Sequence, residues 1–278
     1  MVSRKQMRRR GGDRLADSVG APNVTAPTAQ MSLARVGLSA LALKSIALAF
    51  MVLEHFGFYF GPWLPQNSPT ILEYCGRLVA PVFIFVMLES MRHTRSRCRY
   101  LVRLWLAALL MFAGSMAVSA AVKPFSHAEP FFREGHNIFL MLAVAASVVA
   151  CWDGARRMAG LRRAGLIAAA LALSAAMVVT EGGLMMLPVL YIFYWFHDRR
   201  VTMLGLFSVY SAALFAYGWT SNPEHFWLLE IQWAQITAVP LIALYNGERG
   251  RAGFKWLFYG IYPAHLWLFY VVSNLMPR

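Results

Sequence analysis

From residue 36 onward, long apolar stretches alternate with short polar interruptions. The apolar residues are continuous over whole stretches instead of recurring on one face, the pattern of helices surrounded by apolar material on all sides. A helix that crosses a bilayer needs about 20 mostly apolar residues, and fewer where its ends are buried in protein. Nine stretches meet this description: 36–60, 71–91, 100–122, 136–152, 163–180, 183–197, 201–219, 227–245 and 254–276. The sixth is short and the fourth moderate, so eight spans is the alternative count. Residues 1–35 are different, being rich in Arg, Gly, Pro, Ala and Thr. They read as a flexible basic tail, too long and too polar to be the start of a signal peptide. The pattern thus predicts two parts, a tail over 1–35 and a membrane domain over 36–278, with no sizeable extramembrane domain.

Composition agrees. Of 278 residues, 59% are hydrophobic and 14% charged, and the mean hydropathy is +0.51. Soluble domains have about 45–50% apolar and about 25% charged residues. A purely soluble enzyme, a disordered chain and a collagen-like chain are excluded. The expected fold is all-α, a polytopic membrane protein of about nine spans whose surroundings are a lipid bilayer.

The net charge of +13 sits in clusters that report orientation. If the N-terminus is cytoplasmic, 21 Lys and Arg residues fall on the cytoplasmic side of the alternating loops. Only Lys123, Arg133 and Arg278 fall opposite, while Lys44 and Arg77 lie inside spans. Such a split follows the positive-inside rule, so the basic character marks topology and implies no nucleic-acid partner. Cys75, Cys98 and Cys151 show no CxxC spacing and read as free thiols.

Ionisable residues inside the apolar slab cost roughly 2.5–3.5 kcal/mol each on insertion scales, so each asks for a reason. They are Lys44, Glu54, His55, Arg77, Glu89, Glu230 and His265, with Glu73 and Glu181 near the outer edge. Lys44, Glu89 and Glu230 lie near helix ends, where long side chains reach the interface. His265 reads as either a hydrogen-bonded core histidine or a second catalytic candidate. Glu54-His55 sets a carboxylate beside an imidazole in the first span, and Arg77 reaches a similar depth in the second. A buried Arg needs a partner, which Glu54 or Glu73 supplies. The functional reading is a His55 base, oriented by Glu54 or a neighbouring group, with Arg77 holding an anion. The plain alternative is an ion pair that joins two helices.

Lys44 and His55 are eleven positions apart, three helical turns plus about 20°, so they share a face with an axial separation of about 16 Å. That face presents a cation near the cytoplasm and a base deeper in. Such a face suits a substrate that enters phosphate-first from the cytoplasm, where Arg95, Arg249 and Lys255 are among the nearby cations. GxGxxG, P-loop, GxSxG and HExxH motifs are missing from the sequence. None of the seven histidines stands at metal-ligand spacing from a Cys or Glu, so no metal site is expected.

Several segments together resemble the TraX family of conjugative pilin acetylases. They are LKSIALAFMVLEHFG at 43–57, GRLVAPVFIFVMLESMRHTRSRCRYLVRL at 76–104, HNIFLMLAVA at 136–145, EGGLMMLPVLYIFYWF at 181–196, YNGERG at 245–250 and KWLFYGIYPAHLWLFY at 255–270. The resemblance covers nearly everything after residue 36. Glu54-His55 stands where Asp-His is expected in relatives. Lys44 and His55 are also similar to the Arg-x10-His signature of the wider membrane acyltransferase-3 family, with Lys in place of Arg. The resemblance implies acetyl transfer from cytoplasmic acetyl-CoA to the N-terminal amine of a pilin or fimbrial subunit at the outer side of a bacterial inner membrane. Three alternatives stand beside it: O-acetylation of a glycan or small molecule, a proton-coupled transporter using the intramembrane Glu, His and Arg, and a pilin-binding assembly factor without chemistry.

Overall fold

The computed structural model describes residues 37–123, 136–250 and 255–276. The predicted tail over 1–35 lies outside them. The described part is helical, and its one β contact is an isolated bridge between Leu38 and Tyr245. Helix α1 (Ala40–Phe60) is followed by α2 (Ser68–Gly76) and α3 (Val79–His93), which together form one apolar run. Then come α4 (Arg97–Val122), α5 (Ile138–Ala155), α6 (Gly160–Met177), α7 (Gly183–Trp195) and α8 (Arg200–Ser221). The chain closes with α9 (Phe226–Leu229), α10 (Ala238–Ala243) and α11 (Lys255–Leu275).

Six helical runs among the described residues are long and apolar enough to cross a membrane: α1, α2–α3, α4, α5, α6 and α8. The protein is a multi-pass membrane protein by this measure. Two of the nine expected spans look different from a continuous helix. The stretch 183–197 contains α7, only 13 residues long and interrupted by Pro188. The stretch 227–245 is broken into α9, a 3-10 turn over Gln232–Thr237 and α10.

Burial separates central from peripheral helices. Helices α3 and α5 bury most of their length, from Val79 to Met91 and from Ile138 to Val149. Helix α1 turns Leu43, Ala47, Met51, His55 and Tyr59 inward at the 3–4-residue spacing of one helix face. Helices α4, α6 and α8 expose Leu109, Leu110, Phe112, Leu161, Leu171, Val201 and Val209. In a soluble protein such a surface would be an aggregation hazard; in a bilayer it is the lipid-facing wall.

Caps fix the helix starts that matter for the site. The Ser39 hydroxyl accepts from the Ala42 amide at 3.2 Å and starts α1. The Asn137 side chain accepts from Leu140 N at 3.1 Å and donates to Ala108 O at 3.1 Å. It therefore starts α5 while tying it to α4, and holds the preceding His136 in place. The α6–α7 turn uses Gly182 and Gly183 at φ +77° and +46°, left-handed backbone that favours glycine. A Cβ on Gly182 would also lie 2.6 Å from Met186 Cγ. This turn carries Glu181.

Candidate functional site

Helices α1, α11, α5 and the α6–α7 turn converge on a cluster of imidazoles. His55 and His265 are buried, with His55 Nδ1 2.9 Å from His265 Nε2. His265 Nδ1 lies 2.8 Å from the Ile261 carbonyl oxygen. A carbonyl only accepts, so Nδ1 of His265 carries the proton and, in the neutral ring, its Nε2 accepts. His55 then donates from Nδ1 and keeps the lone pair on Nε2. Sequence reasoning named both histidines but assigned the orienting role to Glu54 or a neighbour. The group that orients His55 is His265.

His136, just ahead of α5, stacks edge-on against His55 with ring centroids 4.9 Å apart. Its Nε2 is buried without a hydrogen-bond partner among the described residues. Glu181 completes the group: one ligand atom each from His55, His136 and Glu181 lie within 4.8 Å of one another. Tyr262 fixes the carboxylate. Its hydroxyl accepts from Ile138 N at 3.0 Å and donates to Glu181 Oε2 at 3.1 Å. Burial, with the nearby Glu54 charge adding, pushes the Glu181 carboxyl up to about 8. His136 and Tyr262 were missed as site residues, and Glu181 was noted only for its depth. The sequence spacing shows none of this, because residues far apart in the chain are brought together by helix packing.

Beside this cluster, Glu54 is ion-paired with Arg77. Arg77 also reaches Glu73 at 3.5 Å and Gln232 Oε1 at 3.4 Å. Both expected carboxylate partners of Arg77 are therefore present, and Gln232 from the broken 226–243 stretch joins them. Gly76 packs directly against the Glu54 carboxyl group, and a Cβ there would occupy the same space.

At the other end of α1, a cavity of about 340 Å³ has Lys44, Ser90, His93, Arg103, Tyr259 and Arg249 in its wall. Lys44 makes no ion pair among the described residues. Arg103 Nε is buried and has no hydrogen-bond partner among the described residues, with the guanidinium 5.8 Å from the Tyr100 ring centre. Arg249 donates to the His93 carbonyl. Arg95 lies outside this wall, in a neighbouring shallow depression with Ser96 and Arg99. Lys255 opens α11, and its side chain lies outside the described residues.

Glu89, expected to reach the interface, is instead buried. It accepts from His197 Nε2 at 2.7 Å and from Tyr245 OH at 3.2 Å, and His93 Nδ1 lies 3.4 Å away. Arg200 donates to Tyr245 O at 2.7 Å and lies over the Tyr245 ring. This knot holds residues 245–250 against α3, which brings Arg249 to the cavity.

The cavity and the histidine cluster are joined by successive turns of α11. Tyr259 lines the cavity, Tyr262 holds Glu181 and His265 holds His55. Phe139 on α5 packs against Tyr259 and Tyr262, with ring centroids 5.4 and 5.0 Å apart. The family profile described as TraX protein matches residues 39–273, which contain every residue named in both regions. The chain belongs to the TraX family. No curated protein and no solved structure matches it. Within this TraX-family protein, the resembling segments supply the site from distant places: 43–57 brings Lys44 and His55, 136–145 brings His136, 181–196 brings Glu181 and 255–270 brings Tyr262 and His265.

Proposed function

We propose that this protein is a membrane-embedded acetyltransferase that moves acetyl from cytoplasmic acetyl-CoA to the N-terminal amine of a pilin or fimbrial subunit at the outer side of a bacterial inner membrane. The observation that carries the reading is the pairing of a cation-walled cavity with a buried imidazole pair along one helix. TraX membership supports a pilin-related role. The distribution of Lys and Arg supports nine crossings with a cytoplasmic N-terminus, counting α7, the broken 226–243 stretch and α11 as the three additional crossings.

In this reading the CoA phosphates bind at Lys44, Arg103 and Arg249. Lys44 and His55 are separated by about 16 Å along α1. The arm linking the CoA diphosphate to its sulfur has about twelve bonds and reaches roughly 14 Å when extended. The thioester is then delivered past Phe139 and Tyr259 to the imidazoles. The acceptor ammonium gives a proton to His55 Nε2, and the amine nitrogen attacks the thioester carbonyl. The C–N bond forms, the C–S bond breaks, and the CoA sulfur leaves with the electron pair and is protonated. The products are an N-acetylated amine, free CoA and one released proton.

The test is transfer of labelled acetyl from acetyl-CoA to mature pilin by protein purified into nanodiscs, read by mass at the pilin N-terminus. A gain of one acetyl on the N-terminal residue is expected. Unmodified pilin together with unconsumed acetyl-CoA would overturn the reading, and acetyl on a glycan hydroxyl would favour O-acetylation.

A further inference from the structure

The cluster of His55, His136 and Glu181 has a geometry that the transfer chemistry alone does not require. It offers three acceptors around one point, from α1, the start of α5 and the α6–α7 turn. Two of them are pre-set. His55 is held through Nδ1 by His265 at 2.9 Å, and Glu181 is held by the Tyr262 hydroxyl at 3.1 Å. The third, His136, has a buried Nε2 without a partner among the described residues. Buried polar groups left unpaired are costly and uncommon, so a ligand that satisfies this nitrogen is favoured. Charge points the same way. Arg77 is engaged by Glu54 and Glu73, whereas Glu181 makes no ion pair among the described residues. A cation bound here would meet a carboxylate that has no counter-ion among the described residues.

Two kinds of cation are compatible with three such groups. Three acceptors placed about 2.9 Å from a tetrahedral nitrogen stand about 4.7 Å apart. Three ligands placed about 2.1 Å from zinc stand about 3.4 Å apart. The three atoms here lie within 4.8 Å of one another, a span that admits either, and the amine acceptor of the proposed transfer is the cation which that chemistry supplies.

We propose that His55, His136 and Glu181 form the pocket that grips the acceptor's primary ammonium group, one acceptor for each N–H, so that His136 and Glu181 select amines over hydroxyls. This assignment rests on the acetyl-transfer reading for the identity of the acceptor, and gives it residues. A hydroxyl has one donor and would leave two of the three acceptors unsatisfied, which is the kind of mismatch that yields strong discrimination. His55 then has two successive roles, accepting a hydrogen bond from the ammonium and afterwards taking its proton.

The experiment uses full-length protein in nanodiscs and three probes: tri-alanine amide with a free amine, its N-acetylated form, and a lactoyl analogue with hydroxyl in place of amine. The free amine should raise the melting temperature while the other two do not. Glu181→Gln and His136→Gln should each weaken amine binding at least about tenfold. In transfer assays they should raise KM for the amine by a similar factor and change KM for acetyl-CoA by less than about twofold. Glu181→Asp, which keeps the charge, should fall between wild type and Glu181→Gln and serves if the Gln variant does not fold. Equal stabilisation by all three probes, wild-type amine affinity in Glu181→Gln, or stoichiometric zinc that is lost in His136→Gln would each overturn the proposal. Amine binding as described without consumption of acetyl-CoA would leave the pocket standing and remove the acetyltransferase reading.

Discussion

His55 on α1 and His265 on α11 share one hydrogen bond of 2.9 Å across 210 residues of sequence. Because His265 is itself anchored to its own helix at Ile261 O, it acts as a fixed acceptor that chooses the tautomer of His55. His55→Gln keeps hydrogen-bonding capacity but removes the base, and turnover should fall by roughly 10²–10⁴-fold. His265→Gln leaves the base but frees its tautomer, with an expected loss of roughly 10–100-fold. Loss of one interhelical hydrogen bond averages about 0.6 kcal/mol in membranes, so both variants should melt close to wild type. Turnover and melting temperature measured in parallel check this; near wild-type turnover in His55→Gln would remove it from the chemistry.

The close packing of Gly76 on Glu54 makes a second, stereochemical prediction. Gly76→Ala should push the Glu54 carboxylate away from Arg77 and destabilise the protein by about 1–3 kcal/mol. Glu54→Asp withdraws the carboxylate by one methylene and makes room for the new methyl group. The double variant should therefore be more stable than the sum of the single effects. A double-mutant cycle on melting temperature that shows simple additivity would contradict this packing relation.

Donor binding is expected to depend on the cavity wall and not on basic charge in general. Lys44→Ala and Arg103→Ala should each raise KM for acetyl-CoA by about tenfold, as expected for a lost charge-assisted contact. Arg95→Ala, outside the wall, should change it by less than about twofold. Equal small effects from all three would return Lys44 and Arg103 to a purely topological role.

Acceptor binding should follow pH with two limbs. Burial pushes the Glu181 carboxyl up to about 8, and a free α-amine titrates near 7.7–8.0. Glu54 on α1 raises the Glu181 value further, while Arg77 and the Tyr262 hydroxyl lower it; His55 and His136 complete its surroundings. The ammonium–carboxylate pair contains one proton between the two groups. Well below pH 8 both groups are protonated, and binding must release a proton. Well above, both are deprotonated, and binding must take one up. Affinity should therefore peak near pH 8 and fall about tenfold per unit on either side. In Glu181→Gln the acid limb should disappear. Titration of amine affinity by calorimetry checks this, and a flat profile in the wild type would contradict it.

Orientation is open to a direct test. A reporter fused after residue 222 should read as periplasmic and one fused after residue 250 as cytoplasmic, which requires the broken 226–243 stretch to cross the membrane. Cytoplasmic signal at both positions would contradict the nine-crossing arrangement.

The helical architecture was legible because apolar length alone marks a membrane helix, and the expected starts at 136, 183 and 201 lie within two residues of those of α5, α7 and α8. The break in 227–245 was not. WLLEIQWAQITAVP sets Glu230, Gln232 and Gln235 among apolar residues, and Gln232 is engaged by Arg77 from the α2–α3 junction, a contact that the local sequence cannot announce. The same reason hid half of the site. His55 stood out because Glu54 is its neighbour, and Lys44 because of its helical spacing. His136 and Glu181 lie at loop edges where polar residues are ordinary, and only packing reveals that they face His55. Arg103 was concealed by company, being one of five arginines in a cluster that serves topology.

The histidine cluster draws on α1 and on α11, the first and last long helices described, and this separates the order of synthesis from the onset of chemistry. At about 5–20 residues per second, the 210 residues between His55 and His265 take about 10–40 s to translate. Throughout that interval α1 is already made, while the residues that set the His55 tautomer and fix Glu181 do not yet exist. In the proposed chemistry a nascent chain is therefore inactive until α11 has been made and inserted, because neither His55 alone nor Glu181 alone has its partner before then.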